Sequence, residues 1–168
     1  MVKAVIFDLD GTLLNTLNDL RNATNHALRS HNMPERSLDE IRRFVGNGVR
    51  RLIELAVPDG EQNPQFESVF AGFRAYYAEH SLDATQPYDG IVETLQHLRQ
   101  RGLRMAIVSN KLEPATEALR QHFFPGLFDT AVGDAPGRRR KPAPDGVFEA
   151  MQRLGVQHDE CIYVGDSD

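Results

Sequence analysis

Residues 5–12, Val-Ile-Phe-Asp-Leu-Asp-Gly-Thr, constrain this chain more than any other stretch. A short apolar run, Val5-Ile6-Phe7, stops at two acids one residue apart, Asp8 and Asp10, and Gly11-Thr12 follow. Such a run reads as a buried strand, and its C-terminal edge is where open α/β sheets bind ligands. Two carboxylates that close repel each other unless a cation or a shared proton compensates. The competing reading is a strand followed by an acidic, solvated turn, since Asp and Gly are ordinary turn residues.

Three further apolar runs resemble the first: Arg104–Val108, Phe128–Val132 and Cys161–Val164, with the first strand itself drawn as Val2–Phe7. They are almost continuously apolar, as parallel strands covered on both faces are. Helical patterns separate them. Val92, Leu95 and Leu98 recur at helical spacing before Gly102, and Glu113–His122 reads the same way. Pro144–Leu154 carries Val147, Phe148, Met151 and Leu154 as its apolar face, with Gly155 at its end. Strands alternating with helices predict a doubly wound parallel sheet.

Residues 16–82 break that alternation. Leu17, Leu20, Ala23, Ala27 and Leu28 form one amphipathic pattern, and Ser37-Leu38-Asp39-Glu40 has the form of a capping box that opens a second helix. Val49, Leu52, Ile53 and Ala56 follow a Gly46-Asn47-Gly48 break, and Asn63-Pro64 opens an aromatic helix from Phe66 to Tyr77, read as core. The expectation is an α/β core over 1–15 and 83–168, interrupted by an all-helical domain over 16–82, with Asp83–Tyr88 as the hinge.

Composition narrows the class. At 168 residues the chain can bury a real core, and its formal net charge of −5 argues against a nucleic-acid binder. A lone cysteine, Cys161, excludes an internal disulfide and suits a reducing compartment; it reads as packing in a buried strand. The six histidines are scattered without metal-ligand spacing. The sequence contains no stretch of membrane-spanning length, so a cytoplasmic protein with no membrane partner is expected.

Once the strands are placed, polar residues collect at their C-terminal ends: Asp8 and Asp10, then Ser109-Asn110, then Lys141 in a proline-stiffened loop, then Gly165-Asp166-Ser167-Asp168. Each has a plain structural reading, as helix cap, solvated cation or turn. All four on one sheet edge suit phosphoryl transfer. A carboxylate nucleophile can form an acyl phosphate. Mg²⁺ takes a few carboxylates plus phosphate oxygens, which Asp8 and Asp166 can supply. The Ser109 hydroxyl, Lys141 and the backbone N–H groups after Asp8 (Leu9, Gly11, Thr12) would stabilise the equatorial oxygens. Asp10 would move the proton. Arg138–Lys141 read as a flexible basic loop whose last member is catalytic, with Arg138 to Arg140 helping to steer anions.

These segments, Asp8-Leu9-Asp10-Gly11-Thr12, Ser109-Asn110, Lys141-Pro142 and Gly165-Asp166-Ser167, resemble the four ordered motifs of the haloacid dehalogenase-like (HAD) superfamily across essentially the whole chain. The resemblance implies a Rossmann-like core, a helical cap that closes over substrate, Asp8 as nucleophile and Asp10 as general acid/base. It makes Ser109 a phosphate ligand with Asn110 beside it, Lys141 the charge stabiliser, and Asp8, the Asp10 carbonyl and Asp166 the Mg²⁺ ligands. Dehalogenation itself is disfavoured, because those members lack the second acid of the first motif.

Val45–Arg50, Pro87-Tyr88-Asp89-Gly90, Ile107–Lys111 and Arg140–Asp145 resemble the phosphoglycolate phosphatase branch. That implies a small phosphorylated metabolite as partner, 2-phosphoglycolate first, with Asn47 and Gly48 facing it from the cap, in a monomer or homodimer. The alternatives are a sugar-phosphate mutase or other phosphotransferase, a pyrophosphatase, and, from a different class, a non-enzymatic phospho-acceptor module. Against the last stand the helical insertion and Asp10. The family pattern also implies a second acid at position 170 and a further strand and helix. The sequence therefore reads as truncated at the C-terminal end of its core, with an inactive fragment as one outcome.

Overall fold

A computed structural model describes residues 1–166. Its strands are β1 (Ala4–Phe7), β2 (Leu14–Asn15), β3 (Gln86–Pro87), β4 (Arg104–Leu112), β5 (Thr130–Asp134) and β6 (Cys161–Val164). Its helices are α1 (Leu17–Arg29), α2 (Leu38–Phe44), α3 (Val49–Ala56), α4 (Phe66–His80), α5 (Ile91–Gln100), α6 (Glu113–Phe123) and α7 (Asp145–Leu154). The chain divides into two units, residues 1–14 with 87–168, and residues 15–86. The short strands β2 and β3, which pair as a two-stranded sheet, are where the chain crosses between them. Sequence reading had no strand at either place, because two residues are too few to carry a period.

In the first unit β1 is fully buried and its neighbours run parallel to it, giving the strand order β5-β4-β1-β6. Alternation of side chains across the sheet splits its core in two. Val5, Phe7, Met105, Ile107 and Ala131 face Leu95 of α5 and Leu119 of α6. Ala4, Ile6, Ala106, Val108 and Val132 face Ala150 and Leu154 of α7. Helices on both faces make the predicted doubly wound sheet. Each large apolar side chain fully buried here, Ile6 or Ile107 for example, contributes about 1.5–3 kcal/mol.

Four local expectations need correction. β4 runs on to Leu112, so Ser109 and Asn110 lie inside the strand and do not cap the next helix. β5 starts at Thr130, and Phe128 is a core residue ahead of it. β6 is not covered on both faces: at the open edge of the sheet, Ile162, Tyr163 and Val164 are 48 %, 38 % and 38 % exposed, and Cys161 alone packs against the α7 side. Phe148 is exposed, because α7 turns its Gly146, Ala150 and Leu154 face to the sheet.

The second unit closes around Leu20, Ala27, Ile41, Ile53, Phe66 and Phe73, with Phe70, Tyr76 and Tyr77 against them. The aromatic stripe of α4 is thus core, as read. The capping box is present: Ser37 Oγ accepts from Glu40 N and the Glu40 carboxylate accepts from Ser37 N. Buried Asp19 ties the end of the unit to its beginning, accepting from the N–H groups of Ala84 and Thr85 and from the Thr85 hydroxyl at 2.8–3.0 Å. Among the described residues, no helix is long and apolar enough to cross a membrane.

Candidate active site

The register of the sheet brings the motif residues of the first unit to one edge. Phe7, the last residue of β1, pairs with Ile107 within β4 on one side and with Val164, the last residue of β6, on the other, so the ends of β1 and β6 converge beside the later part of β4. Asp8 sits there, 4 % exposed. The chain then turns tightly: the Leu9 carbonyl accepts from the N–H groups of Leu13 and Leu14, both at 3.0 Å. The N–H groups predicted as phosphate donors are engaged within this turn. Leu9 N donates to Asp8 Oδ1 at 2.7 Å, Gly11 N to the Leu14 carbonyl at 3.0 Å, and Thr12 N to the Leu9 carbonyl at 3.4 Å.

Gly11 is required by contact as well as by conformation. It has a φ of +84°, and a Cβ there would lie 2.3 Å from Asp166 Oδ2. The absent side chain is what lets Asp166 reach the turn. Asp166 is fixed there by Thr12, whose hydroxyl donates to Asp166 Oδ1 at 2.9 Å and accepts from Asp166 N at 3.1 Å. Ser167 and Asp168, the rest of the fourth motif, lie outside the described residues.

Lys141 reaches Asp8 from the loop before α7, its Nζ 2.5 Å from Asp8 Oδ2, with both side chains largely buried. It also donates to the Tyr163 hydroxyl at 3.1 Å. Burial is the larger influence on Asp8 and pushes its carboxyl up, against the opposing pull of Lys141. Burial also works against the Lys141 ammonium, but Asp8, and after it Tyr163, hold it above the ordinary lysine value. The two shifts pull against each other, because a lysine held charged by Asp8 needs an ionised Asp8. The ion-pair direction governs, since the charged atoms are in contact.

Two devices place Lys141. Asn110, buried in β4, grips its main chain, accepting from Lys141 N at 2.8 Å and donating to Lys141 O at 3.3 Å. The arginines ahead of it are paired one by one. Arg138 meets Glu113 at 2.9 Å and Glu149 at 2.6 Å, Arg139 meets Asp145 at 2.8 Å, and Arg140 meets Asp134 at 2.7 Å. The basic run is therefore a set of neutralised anchors, and the expectation of a loose, anion-steering loop is corrected: each cation has a carboxylate at contact distance, which cancels its far field.

Ser109 is buried, and its Oγ accepts from Lys111 N at 3.1 Å. Lys111 is a site residue that the sequence reading left without a role. Its ammonium lies 3.3 Å from Asp10 Oδ1, with the two side chains 4 % and 16 % exposed. Alternation along β4 from Ser109 gives the signal: residues 109 and 111 share a side, and Asn110 takes the other. Tyr163 was missed for a similar reason, since an aromatic residue in a strand reads first as core. Cys161 is not a nucleophile candidate, because burial, then Asp159 and Glu160, push its thiol up. Asn47 and Gly48 lie in the second unit, in the turn from α2 to α3, where Gly46 and Gly48 have φ of +125° and +82°.

The family model described as haloacid dehalogenase-like hydrolase matches residues 5–168. The chain belongs to the haloacid dehalogenase-like hydrolase family. Among proteins of this family, it is 32 % identical over 168 residues to the phosphoglycolate phosphatase of Aquifex aeolicus, covering 99 % of this chain and 77 % of that one. It is 37 % identical over 174 residues to the phosphoglycolate phosphatase of Thiobacillus denitrificans, covering 99 % and 75 %. A crystal structure from Lactobacillus delbrueckii subsp. bulgaricus, provisionally named a phosphoglycolate phosphatase, is 36 % identical with a TM-score of 0.92, over 98 % of this chain and 78 % of that one.

Proposed function

We propose that this chain is a Mg²⁺-dependent phosphatase that hydrolyses a small phosphorylated metabolite, 2-phosphoglycolate first, through an aspartyl phosphate on Asp8. The observation that carries the reading is the buried Asp8–Lys141 pair at the end of β1, with Asp10 and Asp166 beside it. In the first step an Asp8 oxygen attacks phosphorus, the ester P–O bond breaks, and the leaving oxygen takes a proton from Asp10. In the second, water gives a proton to Asp10 and attacks phosphorus. The P–O bond to Asp8 breaks, which frees phosphate and restores both carboxyl groups.

Lys141, placed by Asn110, and the Ser109 hydroxyl are suited to hold the equatorial oxygens where charge gathers. The groups that would hold a cation are all oxygen donors: the Asp8 and Asp166 carboxylates and the Asp10 carbonyl. That fits Mg²⁺, which needs only one or two protein carboxylates beside water and phosphate oxygens. Bound there, Mg²⁺ would offset the repulsion between the Asp8 carboxylate and an anionic phosphate. The helical unit is proposed as the cap that selects substrate, with Asn47 and Gly48 in its turn.

The test is turnover on 2-phosphoglycolate and a panel of phosphate esters, with the products analysed. Free phosphate and glycolate support the reading. Transfer of the phosphoryl group within a sugar phosphate, with none released, would replace it with a phosphotransferase. A stable phosphoaspartate without turnover would replace it with a phospho-acceptor module.

A further inference from the structure

The geometry points to Lys111 as the positioning residue for Asp10. This inference rests on the reading of Asp10 as the group that gives and takes the proton. Asp10 lies three residues beyond the buried strand β1, outside the main sheet, where its main chain forms an isolated bridge with Leu14. A proton donor that is an ångström out of place can lose roughly a hundredfold in rate, so something must fix that side chain. Lys111 meets the requirement. Its ammonium lies 3.3 Å from Asp10 Oδ1, and its own side chain is 4 % exposed, so it is no solvated surface cation.

The main chain around Lys111 is built to hold it there. The register between β4 and β5 shifts between Val108 and Leu112, so this segment leaves the regular ladder. Lys111 N donates to Ser109 Oγ, and the Lys111 carbonyl accepts from the hydroxyl of Thr116, a residue with no exposure. Gly133 on β5 makes room for the irregular segment: a Cβ there would stand 2.4 Å from Glu113 Cα and 2.7 Å from the Lys111 carbonyl oxygen. Strand, bulge and glycine together deliver one ammonium to one carboxylate oxygen. Lys111 thereby anchors Oδ1. The site then has a lysine for each acid of the first motif, Lys141 on Asp8 for the nucleophile and Lys111 on Asp10 for the proton.

The decisive experiment is a double-mutant cycle on phosphate-ester hydrolysis with K111M, D10N and D10N K111M, paired with crystal structures of the wild type and K111M. Lys111→Met keeps the buried stem and removes the charge. It is expected to lower kcat by roughly tenfold to a hundredfold with KM within about twofold, and D10N K111M is expected to turn over no more slowly than D10N. Equal fractional losses in the two backgrounds would overturn the inference, because Lys111 would then act independently of Asp10. So would a rise in KM at unchanged kcat, which would make Lys111 a substrate-binding group. K111M leaves Asp10 without its cation, so folding is followed by circular dichroism. If K111M does not fold, D10N against D10N K111M decides alone, since that variant leaves neither charge unpaired.

The structures separate this inference from the functional reading. Should the wild type hydrolyse no phosphate ester, the phosphatase reading fails. The Asp10 side chain of K111M still decides the role of Lys111: displaced, it supports the inference; unmoved, it overturns it.

Discussion

Asp19 in the helical unit and Asp8 in the α/β unit are both buried carboxylates, 1 % and 4 % exposed, and their partners differ in kind. Asp19 accepts from the main-chain N–H groups of Ala84 and Thr85 and from the Thr85 hydroxyl. Those donors lie 65 and 66 residues along the same unit, and they close it. Asn25 behaves alike, donating to the Arg36 carbonyl and accepting from Arg36 N. Asp8 accepts one local main-chain N–H, from Leu9, but also faces the Lys141 side chain, and Asp10 faces Lys111. A buried acid held by main-chain donors is architecture, because those donors have nowhere else to turn. A buried acid held by a lysine sits in a field that a substrate anion can share.

That contrast breaks most readily at Asp8. D8N is expected to lower kcat on a phosphate ester by roughly a thousandfold or more while the protein remains folded at 25 °C, measured by phosphate release and circular dichroism. Asp19→Ala should show the reverse. Losing charge-assisted hydrogen bonds and leaving buried N–H groups unpaired costs about 3 kcal/mol in urea melts, with kcat of the folded fraction within about twofold of wild type. If D19A instead abolishes activity without loss of stability, the division between architecture and site is wrong.

Tyr163 sharpens the comparison on a smaller scale. Y163F keeps the ring and removes the hydroxyl that accepts from Lys141, so a fall in kcat of about tenfold is expected. Y163A should fall no further in kcat if the hydroxyl is what matters, whereas full activity in Y163F would reduce Tyr163 to packing.

The smallest effect belongs to the arginine anchors and depends on pH. Burial works to raise the Glu113 carboxyl, but Arg138 and Arg153 outweigh it and hold it below the ordinary glutamate value. A depressed carboxyl contributes stability above its unfolded pKa and loses it as pH falls through the folded value. R138Q should therefore be less stable than wild type by about 1 kcal/mol at neutral pH. The gap should narrow in urea melts carried into the acid range, below the unfolded value of about 4.3. A gap that stays constant with pH would show that Arg138 acts by packing alone.

Much of this was legible in the sequence where a short-range pattern carried it. The four strand segments, the helical insertion and the Ser37–Glu40 box all follow from periods and caps spanning a few residues. The motif acids could be placed because each ends an apolar run. What escaped depends on partners far along the chain. Asp19 reads as an ordinary acid in a first helical turn until Thr85 is beside it. Lys111 lies past the strand drawn to Val108 and has no role in the sequence until Asp10 is opposite it. Arg138–Arg140 read as a basic patch until Glu113, Glu149, Asp145 and Asp134 are seen to neutralise it. Phe148 shows the converse, an apolar residue that no core claims.

Asp8, the buried acid at the end of β1, is proposed as the nucleophile of a metal-assisted phosphatase. Its most direct test is phosphate release from 2-phosphoglycolate by wild type and D8N, each with Mg²⁺ and with a chelator. Turnover by wild type with Mg²⁺ alone is expected, and none by D8N under either condition. Turnover that survives D8N, or that is indifferent to the chelator, would contradict it.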